Sequence, residues 1–201
     1  MNESLAREVY LQAVSALAQT SGFHFVQFFD DQDITGRELL AGPRRRGSGE
    51  LATAPARTAR KFMLEGYAAP NQHAHLTARG LGVQQGEWLV VCAEQRSRNY
   101  WRSDAGWQRI ADNTAVYAAR TIIKLAMLAP QLAVSVELVS EELIEGEICL
   151  RLQTTRPGEA YTVWVSKARQ QVVCVDAFGP WGWHSTLFSQ IGELVEIVEP
   201  R

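Results

Sequence analysis

The chain has 201 residues, 46% of them hydrophobic and 21% charged, enough to build one domain with a substantial core. Twenty Lys and Arg against 22 Asp and Glu leave a formal charge of -2, without the basic surplus that nucleic-acid binding requires. No run reaches the ~18 apolar residues of a membrane span, and no basic segment with an apolar core marks a signal peptide after Met1.

Residues 4–20 predict a helix, with Leu5, Val9, Ala13, Ala16 and Leu17 on one apolar face. Ser21-Gly22 ends it, Gly22 being suited to the left-handed position after a last turn. Residues 23–29 read as a strand with Phe23, Phe25 and Gln27 on one face and His24, Val26 and Phe28 on the other. Apolar side chains on both faces predict a central strand. Residues 30–55 hold the acidic group Asp30-Asp31-Gln32-Asp33 and the basic group Arg44-Arg45-Arg46. The first lacks calcium-loop spacing, and the second is flanked by Gly and Pro; both read as solvated loops.

A hairpin follows over 58–69 and 73–81, turned by Ala69-Pro70-Asn71-Gln72. His73 and His75 share a strand face, but no third ligand lies near them in sequence, so no metal site is expected. Residues 87–93 form a strand, and 99–102 with 106–110 a hairpin over the turn from Ser103 to Gly106. The second helix is predicted over 113–128. Asn113 or Thr114 caps it, Pro130 follows its end, and Val116, Ala119, Ile122, Ile123, Ala126 and Met127 form a broad apolar stripe.

Residues 132–178 carry the clearest pattern. Val134, Val136 and Leu138 alternate with polar residues, as do Ile148, Leu150 and Leu152, then Tyr161, Val163 and Val165, then Val173, Val175 and Ala177. Turn chemistry separates these runs at Glu145-Gly146, at Arg156-Pro157-Gly158-Glu159 and over 167–171. Such short connections join antiparallel neighbours. Residues 186–198 supply a last strand or two. The fold class is therefore α+β: a curled antiparallel sheet of about eleven strands. It forms an unclosed half-barrel with helices covering its concave face, in a single domain over 4–198.

The cysteines Cys92, Cys149 and Cys174 are odd in number and lack the paired spacing of zinc sites, and they read as buried thiols. Spacing alone leaves a Cys149–Cys174 bridge open. No nucleophile elbow, zinc-binding helix, phosphate loop or dinucleotide fingerprint occurs. His184 and Ser185 are adjacent, so on a strand they face opposite ways and cannot pair. The reading is non-enzymatic, with no cofactor.

The order of pieces resembles the LolA/LppX superfamily of lipoprotein carriers and lipid-binding proteins. The likeness rests on GEWLVVCAEQRSRNYWRSDAGWQRI, the helix over 113–128, and the strands after it. Its motifs are Gly146-x-x-Cys149-x-x-Leu152, Tyr161-x-x-Trp164-Val165 and Asp104-x-Gly106-Trp107. The resemblance implies an exported protein of the periplasm or cell envelope, whose unclosed barrel and helical lid enclose a hydrophobic cavity for acyl chains. That location requires a signal peptide removed ahead of this sequence; otherwise the chain reads as cytoplasmic.

Read physically, the candidates for a lipid-binding wall are Trp88, Trp101, Trp107, Ile123, Met127, Trp164, Phe178, Trp181 and Trp183. Against that stands the plainer reading that these aromatics fill an ordinary core. Trp101 and Trp164 fall out of phase with the clearest alternations, which sets them toward the opposite face. Trp181 and Trp183 in the turn Gly179-Pro180-Trp181-Gly182-Trp183 suit contact with a membrane interface or a protein partner. Two other classes remain: a protein-interaction module using the same curled sheet, and a cone-shaped domain like nuclear transport factors. The latter predicts several helices ahead of the sheet, where this chain has one.

Overall fold

The alternating runs pair as predicted. The structure is a computed structural model and describes residues 3–30, 62–69, 73–80, 86–93, 96–110, 135–156, 159–179 and 182–200. Helix α1 (Glu3–Ala18) leads into β1 (Phe23–Asp30). A first meander follows: β2 (Phe62–Ala68), β3 (Ala74–Gly80), β4 (Gly86–Ala93), β5 (Arg96–Ser103) and β6 (Gly106–Ile110). The second meander is β7 (Ser135–Ile144), β8 (Glu147–Arg156), β9 (Glu159–Ser166), β10 (Val172–Gly179) and β11 (Gly182–Ser189).

All eleven strands belong to one sheet, in the order β6-β5-β4-β3-β2-β1-β11-β10-β9-β8-β7. The two meanders meet where β1 pairs β11, and among the described residues β6 and β7 are the edges of the sheet. The expected half-barrel is therefore unclosed, and β1 is central, as its two apolar faces predicted.

The register assigns the faces. The inner face carries Phe23 and Phe25 of β1, Leu64 of β2, Leu76 of β3, Trp88 and Val90 of β4, Leu152 of β8, Val163 of β9 and Phe188 of β11. These form one core with Ala6, Tyr10, Ala13, Val14 and Leu17 of α1. Helix α1 lies against β7, β9 and β10. Its buried stripe is rotated from the expected one: Leu5 is 46% exposed and Ala16 is exposed. The stripe Ala6, Tyr10, Ala13, Leu17 has equally helical spacing, and its two alanines let the helix approach the strands closely.

Gly66 marks a close approach of β2 to β3. A Cβ there would stand 2.1 Å from the His75 carbonyl oxygen and 2.6 Å from the Leu76 Cα, so only glycine fits. Bulges between Leu138 and Ser140 and between Val172 and Cys174 add local twist to the second meander. The Glu145-Gly146 turn has positive φ at both residues (49° and 85°), the geometry of a tight hairpin. Gly22, by contrast, is not in the left-handed region expected of a cap. It is required by close approach, since a Cβ would meet Val195 Cγ2 at 2.7 Å and the Glu193 carbonyl at 2.8 Å.

The last strand starts earlier than predicted and ends at Ser189. Beyond it the chain runs without regular structure and is held at two points. Near β1, the Gly192 N–H donates to the Gly22 carbonyl at 3.0 Å and the Ser21 hydroxyl to the Gly192 carbonyl at 2.7 Å. Near β5, Glu199 accepts from the Tyr100 hydroxyl and pairs with Arg98 at 2.6 Å. Four strand steps span about 19 Å and the stretch from Gly192 to Glu199 reaches about 23 Å when extended. The tail thus straps across the strands. The helix predicted over 113–128 and the Arg44-Arg45-Arg46 loop lie outside the described residues.

Candidate functional site

On β4 the alternation Gly86, Trp88, Val90 points inward, and Trp88 is fully buried. Its register partner on β5 is Trp101, and the two rings lie 6.3 Å apart, tilted by 40°. Trp101 thus faces inward with Trp88, a correction to the phase assigned from sequence. β5 has no apolar alternation to fix its phase; its inward set is Asn99, Trp101 and Ser103, its outward set Arg98, Tyr100 and Arg102. Gly86 makes room for the Trp101 indole, because a Cβ would come within 2.5 Å of its Nε1.

Polar atoms are buried in this same inner face. Among the described residues, the indole nitrogens of Trp88 and Trp101 have no acceptor. Gln27, fully buried on β1, donates from Nε2 to the Thr186 hydroxyl at 2.9 Å, while its Oε1 has no donor. Turning the amide over exchanges the roles of its two ends and still leaves one of them unsatisfied. Gln27 and Gly86 were absent from the predicted site, although Gln27 shares the phase of Phe23 and Phe25.

The outer face carries two further tryptophans. Trp107 lies edge-on to His75 at 6.0 Å, with the Arg102 guanidinium 5.9 Å from its ring centre. His75 is paired with Glu87 at 2.5 Å, and Arg102 donates to the same carboxylate at 2.9 Å. Burial pushes the Glu87 carboxyl up, but the hydrogen bonds and charges of His75 and Arg102 outweigh it and hold the group below its ordinary range. Trp164 is buried in a second apolar cluster with Ile144, Cys149, Val173 and Cys174. It faces away from Val163 and Val165, as its phase predicted.

Phe178 and Trp183 stand opposite each other where β10 pairs β11, which places Trp183 in a strand and narrows the predicted turn to the two residues between Gly179 and Gly182. The side chains of Phe178 and Trp183, together with Trp181, Ile123 and Met127, lie outside the described residues. Cys149 and Cys174 are unbridged. Burial, and then the charge of Glu147, pushes the Cys149 thiol up to about 11. Among the described residues no group of three His, Cys, Asp or Glu is placed to hold a metal, and no helix is long and apolar enough to cross a membrane.

No family model and no curated protein matches the sequence. Solved structures do match in shape. The lipoprotein LppX of Mycobacterium tuberculosis superposes with a TM-score of 0.61 at 11% identity, over 98% of this chain and 100% of that one. LprF of Mycobacterium bovis gives 0.61 at 11% identity, over 98% and 97%. The chain has the LppX fold. The resemblance seen in the sequence holds at the level of architecture, and the match covers nearly all of each chain. In this LppX-type half-barrel, α1, Trp88 and Trp101 belong to one face of the sheet.

Proposed function

We propose that this protein is a non-enzymatic carrier of the cell envelope, holding the acyl chains of a lipid or lipoprotein against the inner face of its open sheet. The observation that carries this reading is the match to LppX and LprF over essentially all of each chain. The inner face adds physical support, because Phe25, Leu76, Trp88 and Trp101 offer an apolar wall. Burying an acyl chain returns about 0.8 kcal/mol per CH₂, so a long chain brings on the order of 10 kcal/mol before association costs. Ile123 and Met127, in the apolar stripe read from the sequence, are the further lipid-binding candidates of this proposal. Phe178 is a further candidate for that wall, and Trp181 and Trp183 are candidates for contact with a membrane interface or a protein partner.

Native mass spectrometry of freshly purified protein, followed by organic extraction, tests the proposal. The expected result is an adduct of lipid mass that extraction removes. Bare protein that also takes up no fluorescent fatty acid overturns the carrier reading. A copurifying polypeptide in place of lipid would favour an interaction module built on the same sheet.

A further inference from the structure

We propose that the inner face recognises an oxygen of its cargo, and that Trp88 and Trp101 are the donors. This rests on the carrier reading and deepens it by naming the part of the ligand that is read. A hydrocarbon wall needs no polar atoms, and natural cores rarely leave an indole N–H without an acceptor. Here two such groups occur side by side, directly opposite in register, and both nitrogens are buried without an acceptor among the described residues. Phenylalanine would supply comparable apolar area at either position without the cost of an orphaned donor. Gly86 strengthens the point, since any larger residue would press on the Trp101 nitrogen itself.

An N–H only donates, so the matching group is an acceptor: the carbonyl oxygen of an acyl ester, or the carboxylate of a free fatty acid. The buried Gln27, three strands away, leaves one end of its amide unsatisfied on the same face. The inner wall is thus apolar with sparse, fixed polar points, as binding pockets with chemical selectivity are.

The test compares the binding of methyl palmitate, palmitate and hexadecane to the wild-type protein, Trp88→Phe and Trp101→Phe. Each variant is first checked for an unchanged melting temperature within a few degrees. The expected result is a loss of about five- to tenfold per indole for the oxygen-bearing probes, with hexadecane binding unchanged. Whichever of ester and carboxylate is lost identifies the cargo head. As a readout independent of mutation, the indole N–H resonances of both residues in the wild-type protein should shift with that probe and not with hexadecane. Equal losses for all three probes would show that the rings merely pack, and would overturn the proposal. So would unchanged binding together with unshifted indole resonances, which leaves the carrier reading standing. A wild-type protein that binds none of the three overturns both.

Discussion

Trp164 donates its indole N–H to the Glu142 carboxylate at 2.9 Å, on the face of the sheet turned away from α1. Glu142 is 5% exposed, and its carboxylate also accepts from Ser140 at 2.8 Å and from Arg151 at 3.1 Å. Arg151 in turn sits 5.7 Å from the centre of the Trp164 ring. A buried carboxylate is tolerated only when its lone pairs and charge are answered, and here three donors do so.

Removing one member should therefore cost more than its own contacts. Arg151→Ala leaves Glu142 buried without its cation and should destabilise the protein by about 3 kcal/mol or more. Trp164→Phe, which removes one donor, should cost about 1–2 kcal/mol. Urea unfolding of both variants and of the double variant measures this, and a non-additive sum is expected because the two residues share Glu142.

Glu87 predicts an acid-side dependence. Its pKa in the folded protein lies below its ordinary 4.5, so the carboxylate contributes stability above that value. The contribution is lost as pH falls through the lower folded-state value. Unfolding curves of the wild type and Glu87→Gln should differ most near neutral pH and converge at strongly acid pH. Parallel curves across that range would contradict the assignment.

Cys149 predicts the opposite slope on the alkaline side. With its thiol raised from 9.0 to about 11, the folded state keeps a proton that the unfolded state gives up. Stability is intact below pH 9 and falls by up to about 3 kcal/mol as pH climbs toward 11. Relative to Cys149→Ala, the wild type should lose stability over that window. At pH 8 the thiolate is about one part in a thousand, so peptide mapping should find Cys149 unalkylated in the native protein and alkylated after denaturation.

Gly66→Ala should be among the most damaging single-atom changes in the sheet. The new methyl meets backbone, the His75 carbonyl at 2.1 Å and the Leu76 Cα at 2.6 Å, and backbone in a paired strand cannot step aside. A loss of about 3 kcal/mol is expected from such overpacking, measurable as a drop in melting temperature. Gly66 lies in the first meander, away from the Trp164–Glu142 pair, so its effect should add to that of Trp164→Phe.

The sheet was legible in the sequence because one buried face per strand forces period-two alternation. Phe23, Phe25 and Val26 announced a central strand, and Glu145-Gly146 announced its hairpin. What stayed hidden depends on pairing rather than pattern. Strict alternation sets Glu142 in phase with Val136 and Leu138, on the inner face; the bulge between Leu138 and Ser140 turns it to the outer face, where Arg151 arrives from β8. Glu87 is twelve positions from His75, and only the β3–β4 register brings them together. Trp101 follows Tyr100 in a strand otherwise made of arginine, asparagine and serine, so no apolar alternation disclosed its side. In α1 the alanines disguised the buried stripe, since packing geometry chose Ala6 over Leu5.

The pairing of β1 with β11 has a consequence for how the protein assembles. Apart from the step from β1 to β2, every other contact between neighbouring strands is a short hairpin, which closes quickly on its own. The β1–β11 seam instead joins residues such as His24 and Ser189, and such distant pairings form late because a long loop must close first. During synthesis each meander can take shape by itself, but the first one waits with β1 bare along one side. The last of the sheet's eleven strands in chain order is the one that completes its middle.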